Sequence, residues 1–252
     1  MPFTRFATLL LSLPAAFGAA QSATLTVQFS RCTEFVGVVP VDASAARALV
    51  PTAYTLVTDA AGAKLVVRAA DCEAVRMGSA PAKPGRVAQI GIMIVSPDGS
   101  ASDPATGINN YTLTYASNSP ALMLALRAAG VPAALDPGLA YEITPAGAGE
   151  LYAAVSPEPD TASPTWFLHG QVTVPGLNSR FDANWWRVAG GNEVKMATAI
   201  DSIDFDFSSA VSFTTSRHNL VGQLLGGNHV ANFPLSFRGT FSAGTMTVTR
   251  TP

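Results

Sequence analysis

The chain is poor in charge, histidine and lysine, and each shortage removes a class of function. Lys, Arg, Asp and Glu make up 13% of its 252 residues and the formal net charge is -2, so no basic surface is available for a nucleic-acid partner. The three histidines, His169, His218 and His229, lie too far apart for a short-spaced metal site, and no metal or other cofactor is expected. There is no Gly-x-Ser-x-Gly, no Gly-rich loop ending in Lys-Ser/Thr, no His-Glu-x-x-His and no Gly-x-Gly-x-x-Gly. No stretch approaches the roughly 18 consecutive apolar residues of a membrane-spanning helix.

Cysteine is limited to Cys32 and Cys72. In an exported chain this pair is expected to form one disulfide, closing a loop of about 40 residues worth roughly 4 kcal/mol. Two buried free thiols are the alternative.

The export expectation comes from the N-terminus. Arg5 precedes an apolar run from Phe6 to Phe17, followed by Gly18-Ala19-Ala20. This is the pattern of a cleaved signal peptide. It divides the chain into a leader, residues 1–22, and a single domain, residues 23–252. The mature protein is expected to be secreted or periplasmic and soluble, with no transmembrane span after cleavage.

Most of the remaining segments alternate with period two, the mark of strands. Leu25, Val27 and Phe29 share one face. Leu65 to Ala69 and Tyr111 to Tyr115 are shorter cases, and Gly244 to Arg250 reads as the closing strand. Val87 to Val95 is apolar on both faces and predicts a central strand covered on both sides. Val194, Met196, Thr198 and Ile200 share one parity, whereas Ile203, Phe205 and Phe207 share the other, so a bulge or tight turn is required at Asp201-Ser202. Asp42 caps a short helix that Pro51 stops; Ser119 caps a second that Gly130 ends. The fold class that follows is mainly β (α+β): one closed or partly closed antiparallel β-barrel with a few short helices.

Candidate functional residues are few. In Phe181-Asp-Ala-Asn-Trp-Trp-Arg187, Trp185 and Trp186 point to opposite faces of a strand; Asn184 and Arg187 are candidate polar contacts at a cavity rim. Asp204 and Asp206 read as the solvated side of an amphipathic strand. Lys195 falls on the same kind of side, and Lys83 in a loop, so neither carries the marks of an activated amine.

The order of these pieces resembles the acetoacetate decarboxylase-like superfamily. The segments that carry the likeness are Val39 to Pro51, Asn110 to Tyr115 followed by the Ser119–Ala129 helix and Val131-Pro132, then Tyr141 to Ile143, Leu151 to Val155, and Ile203 to Leu220. The resemblance implies a barrel with a central cavity and decarboxylation through a lysine imine. It places the two family lysines on Ala133 and Ala134, where methyl side chains form no imine, so that chemistry is not expected here. Tyr115, Ala133 and Ala134 of these segments, with Trp185, Asn184 and Arg187 of the aromatic string, are the candidate ligand contacts, and Arg68, Glu73 and Glu34 are the weak candidates for any remaining catalysis. The function that follows is an exported barrel binding a small apolar or keto-acid-like molecule. An enzyme of lyase or hydrolase type, or a non-catalytic cell-envelope protein, are the alternatives. Oligomeric state and ligand identity are not legible.

Overall fold

A computed structural model describes residues 24–158 and 163–251. The expected leader, residues 1–22, lies outside the described residues.

Two long N-terminal strands, β1 (Thr24–Val41) and β3 (Gly62–Met77), pair antiparallel over most of their length. Between them lie α1 (Ala43–Leu49) and the two-residue β2 (Thr58–Asp59). The Asp42 carboxylate accepts from the Ala45 amide 2.7 Å away and starts α1, as its sequence predicts. Strands β4 (Lys83–Met93) and β5 (Gly107–Ser117) continue the sheet, followed by α2 (Pro120–Ala128) and β6 (Ala133–Leu135). Strands β7 (Ala140–Thr144), β8 (Gly149–Val155) and β9 (Trp166–Val172) then leave it. The chain returns with β10 (Leu177–Ala189) and β11 (Asn192–Asp206), leaves again for β12 (Ala210–Thr215), α3 (Leu220–Leu225) and β13 (His229–Val230), and ends with β14 (Leu235–Thr251).

Seven strands close a barrel in the order β1-β14-β11-β10-β5-β4-β3, and β3 returns to β1. The closure and the short helices agree with the sequence reading, but the barrel is mixed rather than antiparallel. β10 runs parallel to β5, and β6 also pairs with β5 in parallel. Residues 118–176, between β5 and β10, carry a helix and four strands, a crossover long enough to bring β10 back in the same direction. β14 closes the ring against β1, as Gly244 to Arg250 predicts.

Strands β13-β12-β9-β8-β7 form a separate five-stranded antiparallel sheet. It packs on the outside of the barrel, so there are two cores. One lies between the layers and joins Leu65, Ile90 and Ile92 of the barrel wall to Trp166, Leu168 and Phe213. The other fills the barrel with residues such as Val27, Val66, Tyr115, Trp185 and Met196. A wall strand between two cores must be apolar on both faces, which accounts for Val87 to Ile94, whereas Val95, beyond β4, is exposed. The phase change in β11 is also present. Ser179 and Phe181 of β10 pair with Ile203 and Ile200, leaving one extra residue on β11 at the expected position.

α2 plugs one end of the barrel with Leu122, Met123 and Leu126. The Ser119 hydroxyl accepts from Leu122 N, and Gly130 takes the left-handed conformation just beyond the helix at φ 95°. Cys32 and Cys72 are register partners across β1 and β3 at disulfide distance, with Cα atoms 4.1 Å apart. Among the described residues no helix is long and apolar enough to cross a membrane.

Candidate functional site

Strand pairing sets four side chains in a row across the inner wall. Arg68 of β3 pairs with Gln89 of β4, Gln89 with Tyr115 of β5, and Tyr115 with Ala133 of β6. Of the residues singled out by sequence, Arg68, Tyr115 and Ala133 are thus brought together, joined by Glu34 from β1. The Arg68 guanidinium donates through Nε to one Glu34 oxygen at 2.7 Å and through a terminal nitrogen to Gln89 Oε1 at 2.7 Å, and its other terminal nitrogen stands 2.5 Å from the same Glu34 oxygen in an ion pair. Glu34 is 2% exposed, so this pair stands in the barrel core. A buried ion pair stabilises little against an apolar replacement and costs heavily if one partner is lost. Burial pushes the Tyr115 phenol above its ordinary value of 10, with the Arg68 charge acting weakly the other way, so Tyr115 stays protonated and can donate.

Beside this row is a cavity bordered by Glu34, Arg68, Asn110, Trp185 and Thr198, with Ile108, Phe181 and Phe237 at its outer side. It is narrow, about 20 Å³, room for roughly one water. Asn110 is fully buried, and neither its amide nitrogen nor its oxygen has a partner. Gln89, Asn110 and Thr198 belong to this candidate site and were not among the site residues read from the sequence. Gln89 carried a signal, as the one polar side chain inside Val87 to Val95.

The same Ile108, Phe181 and Phe237 form the floor of an open cup at the barrel end opposite α2. The cup holds about 340 Å³, and Phe205, Phe207, Leu177 and Leu235 contribute to its walls. Its rings interlock: the centroid distances are 5.5 Å for Phe181–Phe205 and 5.1 Å for Phe205–Phe237. Phe207, Leu177 and Leu235 are each more than half exposed at the rim.

The other sequence candidates lie elsewhere. Trp186 faces the outer core and donates to Asn109 Oδ1 at 2.9 Å. Asn184 also faces outward and donates to Ser100 Oγ at 2.8 Å. Lys195 differs from its expected solvated setting. Its ammonium is 2.6 Å from Asp98, 2.8 Å from Ser100 Oγ and 4.7 Å from the centre of the Trp186 ring. Burial disfavours the Asp98 carboxylate, but the bonds from Lys195 and Ser100 outweigh it and hold the carboxyl well below its ordinary 3.8. Lys64 pairs with Asp59 at 2.6 Å, and Lys83 is exposed. No lysine borders the inner cavity. Glu73 is exposed and pairs with Arg31, away from Arg68. Arg187 and Ala134 border a crevice outside the barrel, which Ala133 also lines. Among the described residues no cluster of three metal-ligating side chains occurs.

No family model matches the sequence, and no curated protein is similar to it. The fold does have counterparts among solved structures. An acetoacetate decarboxylase superposes with a TM-score of 0.56 at 10% identity, over 90% of this chain and 88% of that one. The enduracididine biosynthesis enzyme MppR, solved with pyruvate, gives 0.55 at 11% identity, over 93% and 91%. An acetoacetate decarboxylase from Legionella pneumophila gives 0.52 at 12% identity, over 96% and 90%. At these identities the likeness is one of fold.

Proposed function

We propose that the acetoacetate decarboxylase-like barrel of this chain is an exported container that binds a small, largely apolar molecule end-on. The apolar body lies in the aromatic cup and a polar tip reaches Asn110. The observation that carries this reading is Asn110 itself: a fully buried amide, bare on both atoms, in the narrow cavity that shares Ile108, Phe181 and Phe237 with the floor of the open apolar cup. Leaving such a group unpaired costs about 1–3 kcal/mol, a cost that a ligand's donor or acceptor removes. Mouths of β-barrels are common ligand sites, and the cup's 340 Å³ is in the range of small-molecule pockets.

Two features narrow the ligand. Glu34 neutralises Arg68 inside the barrel, which favours an uncharged polar tip over a keto-acid carboxylate. Imine chemistry is not part of this reading, because Ala133 takes the place in the interior row that the resemblance gives to an amine. Export is supported by the leader pattern in residues 1–22 and by the Cys32–Cys72 pair, which suits an oxidising compartment.

The test is titration with N-phenyl-1-naphthylamine, a neutral fluorophore that brightens in apolar surroundings. Saturable binding is expected, weakened by about tenfold in Phe207→Asp, a rim change that spares the core. Wild-type affinity in that variant would overturn the site. Borohydride with acetoacetate should leave the protein mass unchanged; a covalent lysine adduct would overturn the loss of imine chemistry.

A further inference from the structure

A second concavity, larger than the cup, lies outside the barrel between α1, α2, α3 and the β5–β6 ladder. It measures about 600 Å³. Its apolar surface comes from Leu49, Leu113 and Leu220, and its charge from Arg127 and Arg187. Among the described residues no carboxylate borders it, and neither arginine forms an ion pair there. Of the nine other arginines described, four are paired with an Asp or Glu, in a chain that has 17 acidic against 15 basic residues. Arg127 and Arg187 thus share one crevice with no carboxylate beside them among the described residues.

Both arginines are held in place by single bonds that leave most of their donors free. Arg127 gives its Nε to the Ala133 carbonyl at 2.6 Å. Arg187 gives one terminal nitrogen to the Thr112 carbonyl at 3.1 Å and lies 5.4 Å from the centre of the Tyr111 ring. Each guanidinium has five N–H groups, so several on each remain for a ligand. The crevice floor is shaped by an irregularity in β5. Ile90 and Gly91 pair with Thr114 and Thr112, so Leu113 is an extra residue, and Leu113 and Thr114 both turn to the crevice. The small side chain of Ala134 keeps that floor open.

From this geometry we infer that the crevice is a binding site for an organic monocarboxylate with an apolar body. The carboxylate takes the free N–H groups of Arg127 and Arg187, and the body lies along Leu49, Leu113 and Leu220. A guanidinium matches a carboxylate in shape and charge, and an apolar floor rejects a small inorganic anion. The site is independent of the cup and calls for an anionic ligand where the cup calls for a neutral one.

The experiment is calorimetric titration of the full chain with octanoate and, in parallel, with neutral octanamide. Saturable octanoate binding is expected, with octanamide weaker by about tenfold or more. The double variant R127Q/R187Q should lose octanoate affinity by about tenfold or more, whereas E34Q/R68M, changed only inside the barrel, should keep it within about twofold. Equal binding of acid and amide, unchanged affinity in R127Q/R187Q, or no saturable octanoate binding at millimolar concentration would overturn the proposal. If R127Q/R187Q does not fold, the wild type decides: octanoate must slow modification of Arg127 and Arg187 by phenylglyoxal, read by peptide mass, and unchanged modification refutes the site.

Discussion

Asn109 and Asn110 are neighbours on one strand, both buried, and they meet opposite fates. Asn109 faces the outer layer, and its amide is fully used. It donates to the carbonyls of Ser100 and Ala101 at 3.0 and 2.9 Å and accepts from Trp186 Nε1 at 2.9 Å and Asn184 Nδ2 at 3.2 Å. Asn110 faces the barrel and makes no side-chain hydrogen bond. The same contrast runs through the two cores. The outer one is apolar, and its Asn109–Trp186 pair is fully hydrogen-bonded, although the buried Tyr141 hydroxyl has no partner. The inner one holds a Glu–Arg pair and a bare amide, features that cost stability and that the proposed ligand site would account for.

Three substitutions test that contrast. The largest effect is expected for Arg68→Met, which strands the buried Glu34 carboxylate. Urea unfolding should show a loss of about 3–5 kcal/mol, with most of it recovered in Glu34→Gln/Arg68→Met. A single variant as stable as wild type would mean that water reaches Glu34 freely. Next comes Asn109→Ala, which removes four hydrogen bonds and leaves Trp186 Nε1 unpaired. A loss of about 2–3 kcal/mol is expected, with no change in probe binding at the cup. The smallest effect on stability, within about 1 kcal/mol, belongs to Asn110→Leu, because an unpaired amide is replaced by an apolar group of similar size. That variant should nevertheless lose affinity for ligands with a polar tip. If Asn110→Leu proves as damaging as Asn109→Ala, the two sides are not different in kind.

Much of the barrel was legible because its signals are local. The caps at Asp42 and Ser119, the two-sided strand at Val87 to Val95 and the parity change at Asp201-Ser202 each depend on a few adjacent residues. The parallel pairing of β5 with β10 was not legible, since nothing in either strand records its partner's direction. The candidate site was readable in outline. Arg68, Tyr115 and Ala133 were named, but their alignment with Gln89 depends on the register of four strands. The roles of Asn109 and Asn110 were hidden for the same reason: sequence gives alternation of faces, not which face meets a partner. Arg127 was missed because a basic residue in the last turn of a helix is an ordinary way to complement the helix dipole.

The position of β14 has a consequence for how the molecule is made. It is the last of the described strands, and it lies between β1 and β11. Before it has been synthesised, both neighbours present bare backbone along one side, an invitation to pair with other chains. A ring sealed by its final stave cannot be finished piecemeal during translation, so the growing polypeptide has to be kept apart from its copies until the tail is free.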